Sequence, residues 1–161
     1  MVILVMGVEG SGKTTTGKLL ANRLGWYFID ADDFHTPANI EKMRHGIPLD
    51  DVDRAPWLAA IHEATLEQVR KGQNVVLACS ALKSSYREIL GRGVDLRVVY
   101  LRGSFDQLYP RLKERRGHFA GKDLLAGQFR ALEEPKDAVV VDAMDPANQI
   151  VERILSSVAL G

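Results

Sequence analysis

The fold is decided by Gly7-Val8-Glu9-Gly10-Ser11-Gly12-Lys13-Thr14, close to the start of this 161-residue chain. This stretch follows an apolar run at residues 2–6 and precedes a helix-forming segment that stops at Gly25. A strand, a glycine-rich loop and a helix in this order are the context in which such a loop binds phosphate. The small residues let consecutive backbone N–H groups turn inward around an anion. The pattern therefore predicts a P-loop and a nucleoside triphosphate as its ligand.

Lys13 and Thr14 give this loop its chemistry. Lys13 supplies a mobile positive charge for the β- and γ-phosphates, and the Thr14 hydroxyl is a ligand for Mg²⁺. A glycine turn that merely joins a strand to a helix would need neither residue. The predicted ATP-binding residues are Gly7, Val8, Glu9, Gly10, Ser11, Gly12, Lys13, Thr14 and Thr15.

Composition limits the class of protein. With 46% hydrophobic residues the chain is long enough for one buried core and too short for two ordinary domains. Its 21 basic and 21 acidic residues give a net charge of zero, which argues against nucleic acid as a partner. The single cysteine cannot form an internal disulfide, and no stretch is long enough to span a membrane or resembles a signal peptide. We therefore expect a cytoplasmic protein without a membrane partner.

Short apolar runs alternate with longer helical patterns along the chain, which predicts an α/β fold with a parallel sheet. The predicted strands are residues 2–6, 26–29, 74–79, 96–101 and 138–141, and the predicted helices are residues 13–24, 57–71, 84–90, 105–115 and 146–158. Ligands of such sheets bind beyond the carboxyl ends of the strands. Two segments there lie outside the alternation, so residues 1–161 are predicted to form one domain with an acceptor-binding insertion at about 30–56 and a lid at about 115–131.

Acidic residues follow the second strand, in Asp30-Ala31-Asp32-Asp33-Phe34-His35. Phosphoryl transfer to an alcohol needs a carboxylate near the hydroxyl proton, and Mg²⁺ needs acidic support. We predict that Asp32 contacts the acceptor hydroxyl and that Asp30 holds Mg²⁺ through water, because no acid ends the third strand at Ala78-Cys79-Ser80. The alternative is ordinary turn and cap chemistry, for which Asp is favoured in any case.

Basic residues lie near the ends of the third and fourth strands. Lys83 and Arg87 are four residues apart, as are Arg111 and Arg115, so each pair shares one face if the segment is helical. Cations at these positions suit an anionic acceptor or a transferring phosphoryl group, and a guanidinium can also stack on adenine. The alternative for both pairs is a solvated basic helix face.

The motifs together resemble the gluconate kinases, small P-loop kinases, over essentially the whole chain. Besides the P-loop and residues 30–35, the matching stretches are Asn39-Ile40-Glu41-Lys42-Met43, Gly46-Ile47-Pro48-Leu49, Asp53-Arg54-Ala55-Pro56-Trp57-Leu58, Cys79-Ser80-Ala81-Leu82-Lys83 with Tyr86-Arg87, Arg116-Gly117-His118-Phe119, Leu124-Leu125, Gln128-Phe129 and Val140-Val141-Asp142. The stretches at 53–58 and 79–83 are far more selective than the P-loop.

This resemblance implies a five-stranded parallel sheet in the order 2-3-1-4-5, helices on both faces and a mobile lid. It implies phosphorylation of D-gluconate to 6-phosphogluconate with ATP and Mg²⁺, a feed into the pentose phosphate or Entner–Doudoroff route, and a homodimer. By the same comparison, Arg111 looks like an adenine-stacking arginine and Arg115 like a phosphate-binding lid arginine. The implied acceptor-binding residues are Asp32, His35, Arg54, which reaches the carboxylate, Lys83, Arg87 and His118.

Two other functions stay open at this point. One is a kinase of shikimate or a related polyol acid, against which the stretch at residues 53–57 argues. The other is a nucleotide-binding regulatory module without turnover, which would not need the acid Asp32. For His118, a purely structural hydrogen-bonding role is a further alternative.

Overall fold

A parallel sheet of five strands forms the centre of the molecule. The computed structural model describes residues 1–116 and 121–158. Its strands are β1 (Val2–Met6), β2 (Tyr27–Asp30), β3 (Val75–Ala78), β4 (Leu96–Arg102) and β5 (Ala138–Asp142). They pair in parallel in the order β2-β3-β1-β4-β5, so the predicted fold class and strand order are confirmed.

Helices cover both faces of this sheet. They are α1 (Lys13–Leu24), α2 (Pro37–Arg44), α3 (Asp51–Arg70), α4 (Ser84–Leu90), α5 (Phe105–Arg116), α6 (Lys122–Ala131) and α7 (Ala147–Ser157). Helix α1 packs against α7, whereas α3 packs against α4. Among the helices of the described residues, none is long and apolar enough to cross a membrane.

The central strand β1 shows how the core is divided. Every residue of β1 is buried, and successive side chains point to opposite faces. Ile3 and Val5 join the apolar cluster that includes α1 and α7, while Val2, Leu4 and Met6 join the cluster that includes α3. Burial on both faces explains why the strand is a continuous apolar run rather than an alternating one.

The acceptor-side insertion contains more helix than the sequence patterns predicted. Helix α3 begins at Asp51 rather than at residue 57, because Asp50 and Asp53 form a reciprocal capping box that fixes the start of the helix. Pro56 lies inside the helix and did not end it. Helix α2 was also missed, although Thr36 caps it and Pro37 occupies its first turn.

The predicted lid segment at about 115–131 is described only in part. Residues 122–131 form α6, whose Leu125 is fully buried against the core that includes α1 and α7. Residues 117–120, which contain His118, lie outside the described residues. The boundaries of the acceptor insertion and of the lid stay predictions.

Candidate active site

The P-loop joins β1 to α1 in the conformation that the sequence predicts. Gly10 and Gly12 have φ angles of +86° and +93°, a left-handed backbone region that a residue with a Cβ enters at a cost. The Ser11 amide donates to the Val8 carbonyl at 3.2 Å, which closes the turn. Gly12 is the N-cap of α1, so the N-terminus of that helix faces the concave side of the loop.

The Lys13 side chain folds back over this loop. Its Nζ donates to the Val8 carbonyl at 3.1 Å. Burial lowers the pKa of Lys13, and the nearby carboxylates of Asp32, Glu9 and Asp30 oppose that shift, with Asp32 contributing most among them. The ammonium group therefore lies between the loop and the acidic end of β2. A phosphate bound there would favour the protonated form of Lys13, which burial disfavours.

Thr14 and Asp30 bring two oxygen atoms together beside the loop. The Thr14 hydroxyl donates to Asp30 Oδ2 at 2.9 Å, and Asp30 Oδ1 accepts from the Asp32 amide at 3.0 Å. Among the described residues, no group of three or more His, Cys, Asp or Glu side chains surrounds a metal position. One hydroxyl and one carboxylate nevertheless fit Mg²⁺, which keeps several waters and takes its other ligands from phosphates.

A cleft of about 390 Å³ extends from the P-loop toward α7. Its lining includes Gly10, Gly12, Thr15, Arg111, Arg115, Ala143 and Asp145. A hydrogen bond from Arg111 Nη1 to the Ala143 carbonyl, at 2.9 Å, holds the guanidinium in place. Both predicted arginines thus line a cleft that opens from the phosphate-binding loop, where the base and ribose of a nucleotide would lie.

Gln128 on α6 also contacts the P-loop, and the sequence patterns did not single out its role. Its Oε1 accepts a hydrogen bond from the Glu9 amide at 2.7 Å, across 119 positions of sequence. The contact ties the helix that follows the predicted lid to the phosphate-binding loop. A tie between residues so distant in sequence leaves no local pattern from which it could be predicted.

Asp32 and His35 lie together beyond β2. The residues Ala31–Phe34 form a 3₁₀ helix, which the Asp30 side chain caps. It leaves the Asp32 side chain 80% exposed, with Oδ1 3.8 Å from His35 Nε2. The His35 ring stacks on Trp57 at a centroid distance of 4.6 Å. The Asp32 carboxylate is therefore accessible to an acceptor, whereas the His35 ring is largely buried against Trp57.

The environment of His35 favours its neutral form. Burial lowers the pKa of the His35 imidazole, Asp32 raises it, and Arg54 lowers it further. Within the described part of the chain, the buried Nδ1 has no hydrogen-bond partner. The predicted contact of His35 with the acceptor stays a prediction, and the stacking on Trp57 gives the residue a structural role as well.

Arg54, Lys83 and Tyr86 converge where the N-terminal ends of α3 and α4 meet. Arg54 Nη1 donates to the Leu49 carbonyl at 2.7 Å and lies 3.4 Å from the Tyr86 hydroxyl. The Arg54 guanidinium carbon and Lys83 Nζ lie 5.7 and 5.6 Å from the centre of the Tyr86 ring. Two of the predicted acceptor-binding cations are thus brought together on a tyrosine for which the sequence predicted no role.

Arg87 is turned away from this cluster. Nη1 donates to the carbonyls of Ala81 and Leu82 at 2.8 and 3.1 Å, and Nη2 donates to the Glu133 carbonyl at 2.8 Å. These bonds hold the loop after β3, in which Ala81 has a left-handed φ of +46°. Lys83 is the N-cap of α4, and the Arg87 amide donates to its carbonyl at 3.3 Å, so the two residues lie one helical turn apart. The contact of Arg87 with the acceptor stays a prediction, and its bonds to main-chain carbonyls give it a structural role as well.

A second, larger cavity of about 670 Å³ lies at the β4–β5 edge of the sheet and includes Tyr100, Arg102, Phe129 and Val140 in its lining. Among the described residues that line it, none belongs to the P-loop. The chemistry-bearing residues predicted from the sequence lie instead around the smaller cleft and the α3–α4 cluster. The two cavities share Asp145, so the larger one adjoins the cleft that opens from the P-loop.

Comparison with known proteins shows which families the chain is similar to. The shikimate kinase family model matches residues 9–159. A gluconokinase of Gluconobacter oxydans is 53% identical, with 84% of this chain and 76% of that protein covered, and a probable gluconokinase of Rattus norvegicus is 51% identical, with 83% of each covered. The crystal structure of a gluconokinase from Sinorhizobium meliloti superposes with a TM-score of 0.86 at 44% identity, covering 96% of this chain and 89% of that one.

A P-loop after β1, a cleft that opens from it, and acidic and basic side chains beyond β2 and β3 are the features of a P-loop kinase of small molecules. Within that class, the chain belongs to the gluconokinase family.

Proposed function

We propose that this protein transfers the γ-phosphoryl group of ATP to D-gluconate and releases ADP and 6-phospho-D-gluconate. The observation that carries the proposal is the pair of cations, Arg54 and Lys83, on Tyr86, together with the exposed Asp32. Both Asp32 and Arg54 influence the pKa of His35, which lies between these two parts of the site. An acceptor for such a site needs an anionic end for the cations and a hydroxyl for the carboxylate. A linear sugar acid carries both groups on one molecule.

The P-loop side of the reaction follows from the geometry of residues 7–15. The loop amides and Lys13 bind the β- and γ-phosphates, and Arg115 lies on the same cleft to meet the charge that builds on the transferring group. Arg111, anchored on Ala143, packs against the base. Thr14 would hold Mg²⁺ directly and Asp30 would hold it through water, and the ion would neutralise phosphate charge.

On the acceptor side, Asp32 orients the terminal hydroxyl and takes its proton. Burial lowers the pKa of Lys13, and among the carboxylates that oppose this shift Asp32 contributes most, which supports a position of the acid near the phosphate-binding lysine. Arg54 and Lys83 bind the carboxylate of the sugar acid. Arg87 holds the loop that carries Lys83 and acts through it as a positioning residue. His118 remains a predicted lid contact.

A shikimate kinase activity is the second candidate, because the family model that matches residues 9–159 is that of shikimate kinase. Both acceptors are hydroxy acids, so the geometry of charge alone does not separate them. A coupled assay of ADP release across D-gluconate, other sugar acids and shikimate does. We expect D-gluconate to give the highest kcat/KM, and a higher value with shikimate would contradict the proposal.

Replacement of Arg54 by alanine tests how the acceptor is recognised. We expect the KM for D-gluconate to rise about ten- to two-hundredfold, the value of a lost charge-assisted hydrogen bond, while ATP binding is unchanged. Arg70→Ala, at the far end of the same helix, is the matched control, because Arg70 pairs with the exposed Glu63 at the protein surface. Glucose, which lacks the carboxylate, should be a poor substrate for the wild type and indifferent to the substitution. Equal losses with both sugars would assign Arg54 to the fold or to the phosphates.

Substitutions of Arg111 and Arg115, the two arginines of the cleft, should have different kinetic effects. Arg115→Ala should lower kcat about a hundredfold or more through lost stabilisation of developing charge, with little change in ATP affinity. Arg111→Ala should mainly weaken nucleotide binding, because stacking on the base is made already in the ground state. Initial rates at varied ATP, together with direct ATP titration, measure both. Identical effects of the two substitutions would remove the distinction between stacking and phosphate binding.

A further inference from the structure

Asp51 lies beside Lys83 and Tyr86, and the proposed mechanism gives it no role. Arg54, Lys83, Tyr86 and Asp51 are called the acceptor cluster below. Asp51 is the first residue of α3, one turn before Arg54. Its Oδ1 accepts hydrogen bonds from Lys83 Nζ, at 3.1 Å, and from the Tyr86 hydroxyl. Lys83 Nζ also lies 3.4 Å from Oδ2. A carboxylate of the protein is therefore already bound by Lys83, one of the two cations assigned to the carboxylate of the acceptor.

The surrounding charges hold Asp51 as an anion in this position. The Tyr86 hydroxyl and then the Lys83 ammonium lower the pKa of Asp51, and Arg54 lowers it further from a greater distance. With Arg54 and Lys83 each carrying +1 and Asp51 carrying −1, the cluster has a net charge of +1. Lys83 is the cation for which two carboxylates compete once a sugar acid enters.

The contact is easily exchanged. The Asp51 side chain is 66% exposed and that of Lys83 is 33% exposed, so water and solutes reach the ion pair. The start of α3 does not depend on it, because Asp50 and Asp53 provide the capping box and the Trp57 indole is anchored on the Ala31 carbonyl. An exposed ion pair of this kind contributes little free energy and can be replaced by another anion.

We propose that Asp51 is a specificity-determining residue. In the empty enzyme its carboxylate occupies the position on Lys83 that the acceptor carboxylate takes, and a sugar acid binds by displacing Asp51 from Lys83. The inference rests on the proposed function of the same site. In the empty site Asp51 masks Lys83 from stray anions. An acceptor that places a hydroxyl on Asp32 as well gains enough contacts to displace it.

Asp51→Asn removes the competing charge and keeps an oxygen that accepts from the Tyr86 hydroxyl. Titration calorimetry with a non-hydrolysable ATP analogue present would measure binding of D-gluconate and of D-glucitol, which has the hydroxyls without the carboxylate. We expect Asp51→Asn to lower the Kd for D-gluconate about two- to fivefold, the range that an exposed ion pair is worth, and to leave D-glucitol unchanged. Asp51→Ser, a second variant that removes the charge, should shift binding in the same direction.

Two further proteins make the test decisive. Asp106→Asn is the matched control, because Asp106 is also an exposed acid in the first turn of a helix, and it belongs to α5 rather than to α3 or α4. It carries the same loss of helix-dipole interaction and should bind D-gluconate like the wild type. In a Lys83→Met background, Asp51→Asn should have no effect on D-gluconate, because the cation under competition is gone.

Weaker or unchanged D-gluconate binding by both Asp51 variants would overturn the inference and make Asp51 a support of Lys83 and Tyr86. A gain that persists in the Lys83→Met background, or that extends to D-glucitol, would overturn it equally. Failure of the proposed function has another signature, namely no ADP released by the wild type with D-gluconate. That result leaves the comparison between Asp51→Asn and wild-type binding to be judged by itself.

Discussion

Lys13→Ala should lose turnover with D-gluconate almost completely while the protein keeps its fold. The Lys13 ammonium contacts the Val8 carbonyl and lies among the carboxylates of Asp32, Glu9 and Asp30, so it belongs to the phosphate site rather than to the apolar core. Removing one preorganised donor to a transferring phosphoryl group costs about a hundred- to a thousandfold in rate. Because the same residue holds phosphates in the ground state, ATP affinity should fall as well.

The matched control for this substitution is Lys18→Ala. Lys18 is an exposed lysine on the same helix, one turn further along α1. Its loss should leave kcat, KM and the melting temperature near their wild-type values. A Lys13→Ala enzyme that kept a wild-type rate of ADP release would show that the P-loop does not bind the phosphates that react.

The contrast between α1 and α3 shows which parts of the fold the sequence could predict. The bounds of α1 and of β1 were predicted to the residue, because an apolar run, a glycine loop and a terminal glycine are all local signals. The start of α3 was placed six residues too late, since Pro56 suggests a helix start, whereas the Asp50–Asp53 capping box upstream fixes it. Both signals were present, and the reciprocal bonds of Asp50 and Asp53 set the start of the helix.

The candidate site was predictable to the extent that its residues lie at strand ends. Parallel strands bring their carboxyl ends to one edge of the sheet, so the order of strands and loops along the chain was enough to place Lys13, Asp32 and Lys83 at that edge. Contacts between elements distant in sequence were not accessible in this way. The tie of Gln128 to the Glu9 amide, the anchoring of Arg87 on main-chain carbonyls and the pairing of Asp51 with Lys83 and Tyr86 all depend on side-chain directions.

Replacement of Asp32, which follows β2, should slow phosphorylation of the acceptor and leave nucleotide binding nearly unchanged. We expect Asp32→Asn to lower kcat for D-gluconate about a hundred- to ten-thousandfold, the contribution of a positioned general base. The Asp32 side chain is 80% exposed, and its main-chain amide makes the bond to Asp30, so an amide side chain should leave the local fold and the melting temperature unchanged. Nucleotide affinity should change little, because the proposed partner of Asp32 is the hydroxyl of the acceptor.

Asp33→Asn is the natural comparison for this substitution. Asp33 is the neighbouring exposed acid of the same 3₁₀ helix, so its replacement makes the same change of charge one residue away. Steady-state rates and nucleotide titrations on both variants, with the wild type alongside, give the answer. A large loss for Asp32→Asn beside a near-normal Asp33→Asn would assign the proton to Asp32. A near-normal Asp32→Asn would transfer that role to Asp30 or Asp33, and the site would then deprotonate its acceptor from a different side of the β2 end.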